Sequence, residues 1–298
     1  MASAEGALAA CGARSAAQRS LLSWFRTNGP VYPWRARERD PYAVLVSEVM
    51  LQQTQASRVA EAFPMFMERF PDVGSLAGAS RGDVVRAWGG LGYPRRAASL
   101  HEAARRIVRE HHGTVPTDLP SLLALPGIGA YTAAAVTSIA YRVPVAAIDT
   151  NVRKVVARLE FAAEPDEVAE ADVAGAASRW LASEAPGEWN QAVMNLGREV
   201  CRPTPRCDGC PLAAACAFRA SGRVGRRSGR RQAAFAGSMR QARGGVLREL
   251  RGRERAATIG TIAAALDMPA TRVDLAVDAL ERDGLVRRTG SGRVGLPH

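Results

Sequence analysis

The segment Leu125-Pro126-Gly127-Ile128-Gly129-Ala130 constrains the fold of this chain more than any other. It separates two short helical patterns, and its glycines can take backbone angles closed to other residues, so it reads as a tight hairpin between helices. The second helix opens at about Tyr131 with free N–H groups and the positive end of its dipole, a ready site for a phosphate oxygen. Such a site needs no charged side chain and is indifferent to base sequence. The helix ends before Pro144, and the apolar run Val145-Ala146-Ala147-Ile148 leads to Asp149 and Asn151 at the start of the next helical segment. On these residues alone, the glycines equally describe a helix C-cap and turn, and Asp149 a plain N-cap.

Helical periodicity recurs at about residues 15–27, 59–70, 81–88, 95–112, 168–183 and 189–200, and no strand-like alternation of any length precedes residue 200. This region is therefore all-α. With 298 residues and 47% hydrophobic content, the chain can bury one large or two to three small cores. Its least charged stretch, Leu119 to Tyr141, is cut by Pro126, Gly127 and Gly129 into pieces too short to span a bilayer. The N-terminus lacks the basic start and continuous apolar core of a secretion signal, so the expected location is the cytoplasm, beside the nucleoid. A net charge of +11 favours a polyanion as partner, most often nucleic acid. Almost all the basic residues are Arg, and Lys154 is the only lysine.

Three further stretches carry candidate chemistry. In DPYAVLVSEVMLQQTQ, residues 40–55, Glu48 lies among apolar residues that would resist its ionisation and move it toward the range of a general acid. A solvated or Arg-paired Glu is the plainer reading. Gln52 to Gln55 follow as a polar cluster that suits base edges or water alike. In Gly89-Gly90-Leu91-Gly92-Tyr93-Pro94, the glycines could hold Leu91 and Tyr93 outward as a wedge between DNA bases, or simply make a packed loop. Finally, Cys201, Cys207, Cys210 and Cys216 form C-x5-C-x2-C-x5-C, and Cys11 is the only other cysteine. Four closely spaced thiols in an intracellular chain point to a metal site, with zinc and a 4Fe–4S cluster both open on spacing alone.

Residues 219–232, RASGRVGRRSGRRQ, have no apolar periodicity and read as a basic, disordered linker. Helical patterns at about Met239 to Leu250, Thr258 to Leu266 and Ala270 to Asp283 follow, then a hairpin-like segment from Leu285 to Leu296. Three helices and a hairpin suggest a small winged-helix unit, a module that binds DNA or protein or merely packs.

In combination, YPWR (32–35), DPYAVLVSEVMLQQTQ (40–55), WGGLGY (88–93), LPGIGAYTAAAV (125–136), IDTNVRKV (148–155) and the four cysteines resemble the helix-hairpin-helix DNA glycosylases that carry an iron–sulfur cluster. The likeness covers about residues 15–220 and is closest to the members that remove adenine. It implies a two-lobed helical core over residues 1–220, with a six-helix lobe at about 33–141 and a cluster lobe formed by about 1–32 with 142–220. A linker at 221–238 and the winged-helix-like unit at 239–298 would follow. The resemblance further implies a 4Fe–4S cluster on Cys201, Cys207, Cys210 and Cys216, and a monomer acting on double-stranded DNA that contains a mismatch.

By the same resemblance, Glu48 would protonate adenine and Asp149 would stabilise the sugar cation, with Tyr131 and Asn151 supporting. Arg35 would contact the extrahelical adenine, Gly127 and Gly129 would anchor the backbone, and Gln53, Thr54, Leu91 and Tyr93 would lie near the orphaned partner base. Tyr131 occupies the position where bifunctional relatives carry a lysine nucleophile, so base removal without efficient strand cleavage is expected. The expected substrate is adenine opposite 8-oxoguanine or guanine; alternatives are another mismatch, such as thymine opposite guanine, or a non-catalytic DNA-binding regulator. The chain departs from the family pattern in a first cysteine spacing one residue shorter and in Pro94-Arg95 after Tyr93, and the Nudix-like domain that many relatives use for 8-oxoguanine recognition has no visible counterpart in these residues.

Overall fold

The computed structural model describes residues 4–37, 40–226 and 234–298. The part of the expected linker at 227–233 lies outside them. The described residues form α1 (Ala4–Asn28), α2 (Pro41–Leu51), α3 (Ala56–Arg69), α4 (Val73–Gly78), α5 (Arg81–Trp88), α6 (Arg95–His111), α7 (Leu119–Ala124), α8 (Ala130–Ala140), α9 (Thr150–Phe161), α10 (Glu170–Trp180), α11 (Pro186–Glu199), α12 (Ala217–Ala220), α13 (Met239–Arg251), α14 (Ile259–Leu266) and α15 (Ala270–Arg282). Two short strands, β1 (Arg287–Arg288) and β2 (Val294–Gly295), pair antiparallel. The all-α fold is therefore as expected. No helix among the described residues is long and apolar enough to cross a membrane.

The chain divides into two compact units. The first comprises Met1–Val44, Thr117–Leu123 and Ile128–Arg230. Its core joins Leu21 and Phe25 of α1, Val152, Val156 and Leu159 of α9, Trp180 of α10, and Trp189, Val193 and Leu196 of α11. α11 approaches the start of α9 closely because Gly197 has no side chain: a Cβ there would lie 2.7 Å from the Asn151 Cβ and 2.9 Å from its carbonyl oxygen. The six residues before the undescribed segment are not free of this unit. Arg223 donates to Glu167 at 2.8 and 3.0 Å and to the Ala162 carbonyl at 2.8 Å, and Arg226 donates to Asp166 at 2.7 Å. Part of the positive charge of this stretch is thus engaged in local ion pairs.

The second unit comprises Leu45–Pro116, Ala124–Gly127 and Arg231–His298. Phe66 of α3 meets Trp88 of α5 edge to face at 6.1 Å, and α6 buries the stripe Ala97, Leu100, Ala103, Ala104 and Ile107. The C-terminal helices do not stand apart from these elements. Val85 of α5 belongs to the core built by Val246 and Leu250 of α13, Ile262 of α14, Val273, Val277 and Leu280 of α15, and Val294 of β2. The Gly82 N–H donates to the Pro297 carbonyl at 2.7 Å. Ala257 adds an antiparallel bridge to Val294, so the hairpin has a third edge that its sequence did not reveal. On α15, Asp274, Asp278 and Glu281 all grip Arg288 of β1, at 2.5, 2.7 and 2.8 Å. The acidic groups along this helix are thereby committed to holding the hairpin in place.

Candidate active site

α2 begins where Asp40 accepts the Tyr42 and Ala43 N–H groups at 3.0 and 3.2 Å, with Pro41 in the first turn, where a missing N–H costs nothing. Residues 42–50 are then buried without interruption. This is the pattern of a helix enclosed on all sides. It carries Glu48 into the interior, where only 6% of the residue remains exposed.

Beyond α2 the chain turns through Gln53, whose φ of 55° is left-handed, and Thr54 Oγ1 donates to the Leu91 carbonyl at 3.2 Å. That bond reaches the 89–94 loop, which is also held by Trp88 Nε1 donating to the Gly92 carbonyl at 3.1 Å. The loop therefore closes on its own interior. Leu91 is 4% exposed, so of the two readings of this loop the structure displays the packed one; Tyr93, at φ 45° and 46% exposed, is the side chain presented to solvent. Gln52 donates at long range, 3.5 Å, to the Gly127 carbonyl.

The two glycines of the hairpin do different work. Gly127 has φ 78°, and a Cβ there would meet the Ser99 Cβ at 2.6 Å, so both its angle and its packing require glycine. Gly129 is the N-cap of α8 with an extended φ of −93°, which any residue adopts. The position is open, since a Cβ there would meet nothing within 4 Å, so neither its angle nor its packing requires glycine. With no side chain capping α8, the first N–H groups of that helix have no side-chain cap of their own. Tyr131, in the first turn, is half-buried and donates its hydroxyl to Met194 Sδ at 3.4 Å.

Asp149 does cap α9, and the cap fixes its geometry. Oδ1 accepts the Val152 N–H at 2.7 Å and Oδ2 accepts Asn151 Nδ2 at 2.9 Å, leaving the carboxylate half-buried in a set orientation. The extended run before it is held by a residue that sequence reasoning passed over. Asn190, buried on α11, donates to Ser138 Oγ and to the Val145 carbonyl, both at 2.9 Å, and accepts the Ala147 N–H at 3.1 Å. A polar residue amid the apolar face of α11 was its only signal. Lys154 donates to the Gly197 carbonyl at 2.7 Å, and burial lowers its pKa from the usual lysine range. Arg35 donates to the Pro30 carbonyl at 2.5 Å and lies over the rings of Phe25 and Tyr32, 4.6 and 5.6 Å from their centroids.

Cys201, Cys207, Cys210 and Cys216 are unpaired and line one small cavity with Arg158 and Phe218. Among the described residues no group of three is already arranged to hold a metal ion. Burial pushes the Cys210 thiol up to about 11 and raises that of Cys201 as well. Four thiols around one cavity, with the Arg158 guanidinium 3.6 Å from Cys201 Sγ, form a donor set suited to a group that takes thiolate ligands. Arg158 is 1% exposed and paired with buried Glu164 at 2.8 Å; it also donates to the Arg202 carbonyl at 2.6 Å. Removing one partner of such a pair strands the other in a poorly solvated site. Glu164→Gln is expected to destabilise the protein by about 3 kcal/mol or more, measured by urea unfolding at neutral pH.

Residues 46–176 match the family described as HhH-GPD superfamily base excision DNA repair protein. The adenine DNA glycosylase of Mycobacterium tuberculosis is 42% identical over 291 residues, 96% of this chain and 95% of that protein. That similarity runs well beyond residue 220. The adenine DNA glycosylase of Homo sapiens is 39% identical over 67% of this chain and 39% of its own length. Among solved structures, a thermostable thymine-DNA glycosylase aligns with a TM-score of 0.65 at 25% identity, over 70% of this chain and 98% of that one. A trapped endonuclease III–DNA covalent intermediate aligns with a TM-score of 0.59 at 22% identity, over 72% and 98%, and shares the fold.

Proposed function

Because the chain belongs to the family of adenine DNA glycosylases, we propose that it hydrolyses the N-glycosidic bond of adenine mispaired with 8-oxoguanine or guanine in double-stranded DNA, as a monomer and without efficient strand cleavage. The observation that carries this reading is the contrast between two carboxyl groups. Glu48 is enclosed within α2, with 6% of the residue exposed, and is the candidate proton donor. Asp149 is half-buried, and the Val152 N–H and the Asn151 side-chain amide hold its two oxygens in a set orientation, as a fixed anion requires.

Glycosidic cleavage develops positive charge on the sugar and negative charge on the leaving base, so one proton donor and one fixed anion are the groups it needs. In this assignment Glu48 protonates the adenine as the bond breaks, Asp149 stabilises the oxocarbenium ion until water adds, and Asn151 holds the Asp149 carboxylate in place. The flipped adenine meets Arg35 and Tyr131. The backbone N–H groups after Gly127 and Gly129 anchor a phosphate, and Gln53, Thr54 and Tyr93 lie near the orphaned base. Leu91 contributes from beneath as packing. Cys201, Cys207, Cys210 and Cys216 would hold a 4Fe–4S cluster, which fastens the loop around them and needs no part in the proton chemistry.

Thymine opposite guanine is the second reading, supported by the structural likeness to a thymine-DNA glycosylase. Single-turnover assays on duplexes with adenine opposite 8-oxoguanine, adenine opposite guanine and thymine opposite guanine separate the two. Adenine release from the first two duplexes is expected, with no efficient borohydride trapping of protein on DNA, because Tyr131 offers no amine and Lys154 is engaged with the Gly197 carbonyl. Thymine release alone would overturn the proposal, and efficient trapping would overturn its monofunctional part.

A further inference from the structure

The last carbonyls of any helix lack intrahelical donors, and at the end of α2 they are satisfied from a distant part of the same unit. Arg96, in the first turn of α6, donates through Nη1 to the Val49 carbonyl at 2.7 Å and the Met50 carbonyl at 2.9 Å, the two residues that directly follow Glu48. Through Nη2 the same guanidinium donates to Thr54 Oγ1 at 2.8 Å and to the Gly92 carbonyl at 3.2 Å. Its plane lies against the rings of Trp88 and Tyr93, with centroids 5.2 and 5.4 Å away. Thr54 in turn donates to the Leu91 carbonyl. One planar fork thus touches the helix of the candidate acid, the polar turn after it, Trp88 just before the 89–94 loop, and Gly92 and Tyr93 within it. Burial lowers its pKa to about 10, which leaves it charged at neutral pH. A lysine could not reproduce these contacts, since it lacks both the fork and the flat face.

We propose that Arg96 is a positioning and specificity-determining residue that couples the 89–94 loop to the helix bearing Glu48. What Tyr93 and Gln53 meet at the orphaned base then adjusts how well Glu48 is placed to donate its proton. This rests on the reading of Glu48 as the acid and of the loop as a neighbour of the opposite base. The coupling needs only contacts seen within one compact unit, and both residues flanking its path, Gln53 at φ 55° and Tyr93 at φ 45°, sit in left-handed conformations that side chains adopt at a cost. Such positions are set by their surroundings more than by local preference.

The test uses the full chain with Arg96→Lys, Thr54→Val and the double variant, and compares single-turnover excision of adenine opposite 8-oxoguanine with that opposite guanine at saturating protein. Thr54→Val is nearly isosteric and removes the hydroxyl that joins Arg96 to the Leu91 carbonyl while leaving the Arg96 contacts to the α2 carbonyls, so it keeps the test informative if Arg96→Lys folds poorly. The expected result is a change of about tenfold in the ratio of the two rates for each single variant, with the double variant changing the ratio no further, as for residues on one path. Two results would overturn the coupling: rates that fall by the same factor against both opposite bases, or effects of the two single variants that multiply. If the unaltered chain releases no adenine, or Glu48→Gln remains active, the functional reading fails first and the coupling with it. An active chain silenced by Glu48→Gln but with an unmoved ratio in both single variants would reject the role of Arg96 alone.

Discussion

Replacing Glu48 by Gln is expected to reduce adenine excision by about 10²–10⁴-fold, the range that a positioned general acid contributes, while leaving affinity for mismatched duplex within a fewfold of the unaltered chain. The substitution is close to isosteric and replaces a carboxyl in a site that is 6% exposed, so the helix around it has no steric reason to move. Gln can accept and donate hydrogen bonds but has no proton to give to a leaving base. Single-turnover rates together with binding to an uncleavable substrate analogue separate loss of chemistry from loss of recognition. Equal loss of both would mean that Glu48 holds the structure together and is not the acid.

The second large effect is expected at Asp149, where the capping role and the chemical role can be taken apart. Asn is as good an N-cap as Asp, so Asp149→Asn can keep the Val152 N–H satisfied and should change stability by less than about 1 kcal/mol. It removes the negative charge, and excision should fall by a factor on the order of 10²–10³, the scale of losing one preorganised electrostatic group. Asp149→Ala should lose activity to a similar degree and also about 1 kcal/mol of stability, because the cap is lost as well. Thermal unfolding and excision rates measured on the same preparations decide the matter. Retained activity in Asp149→Asn would leave Asp149 as a cap and nothing more.

Several site residues were legible because their types are rare in such surroundings. A carboxylate inside the apolar run of residues 42–50, a Gly-x-Gly between helices and four clustered thiols each stand out locally, and the helix that begins at Ala130 was anticipated to within one residue. Asn190 could not be found in this way. Its importance lies in three hydrogen bonds to residues 43 to 52 positions distant in sequence, and an isolated Asn in a helix gives no sign of them. Leu91 was left open between an outward wedge and a packed loop for a related reason. Glycines on both sides permit either an outward or an inward loop, and the choice was made by the Gly92 and Leu91 carbonyls, which Trp88, Arg96 and Thr54 pull inward.

The fold class and the helix hairpin were determined by sequence alone, because periodicity and glycine freedom are properties of short segments, whereas the candidate acid, anion and cluster ligands were assigned those roles only by the resemblance to a known family. Tertiary structure decided which of those groups share a mechanical frame. It showed Asp149 to be both cap and oriented carboxylate, tied the terminal helices to α5 through Val85, and made Arg96 the common partner of the α2 terminus and the 89–94 loop. Such couplings depend on hydrogen-bond geometry and close packing between distant segments, and those distances exist only after the chain has folded.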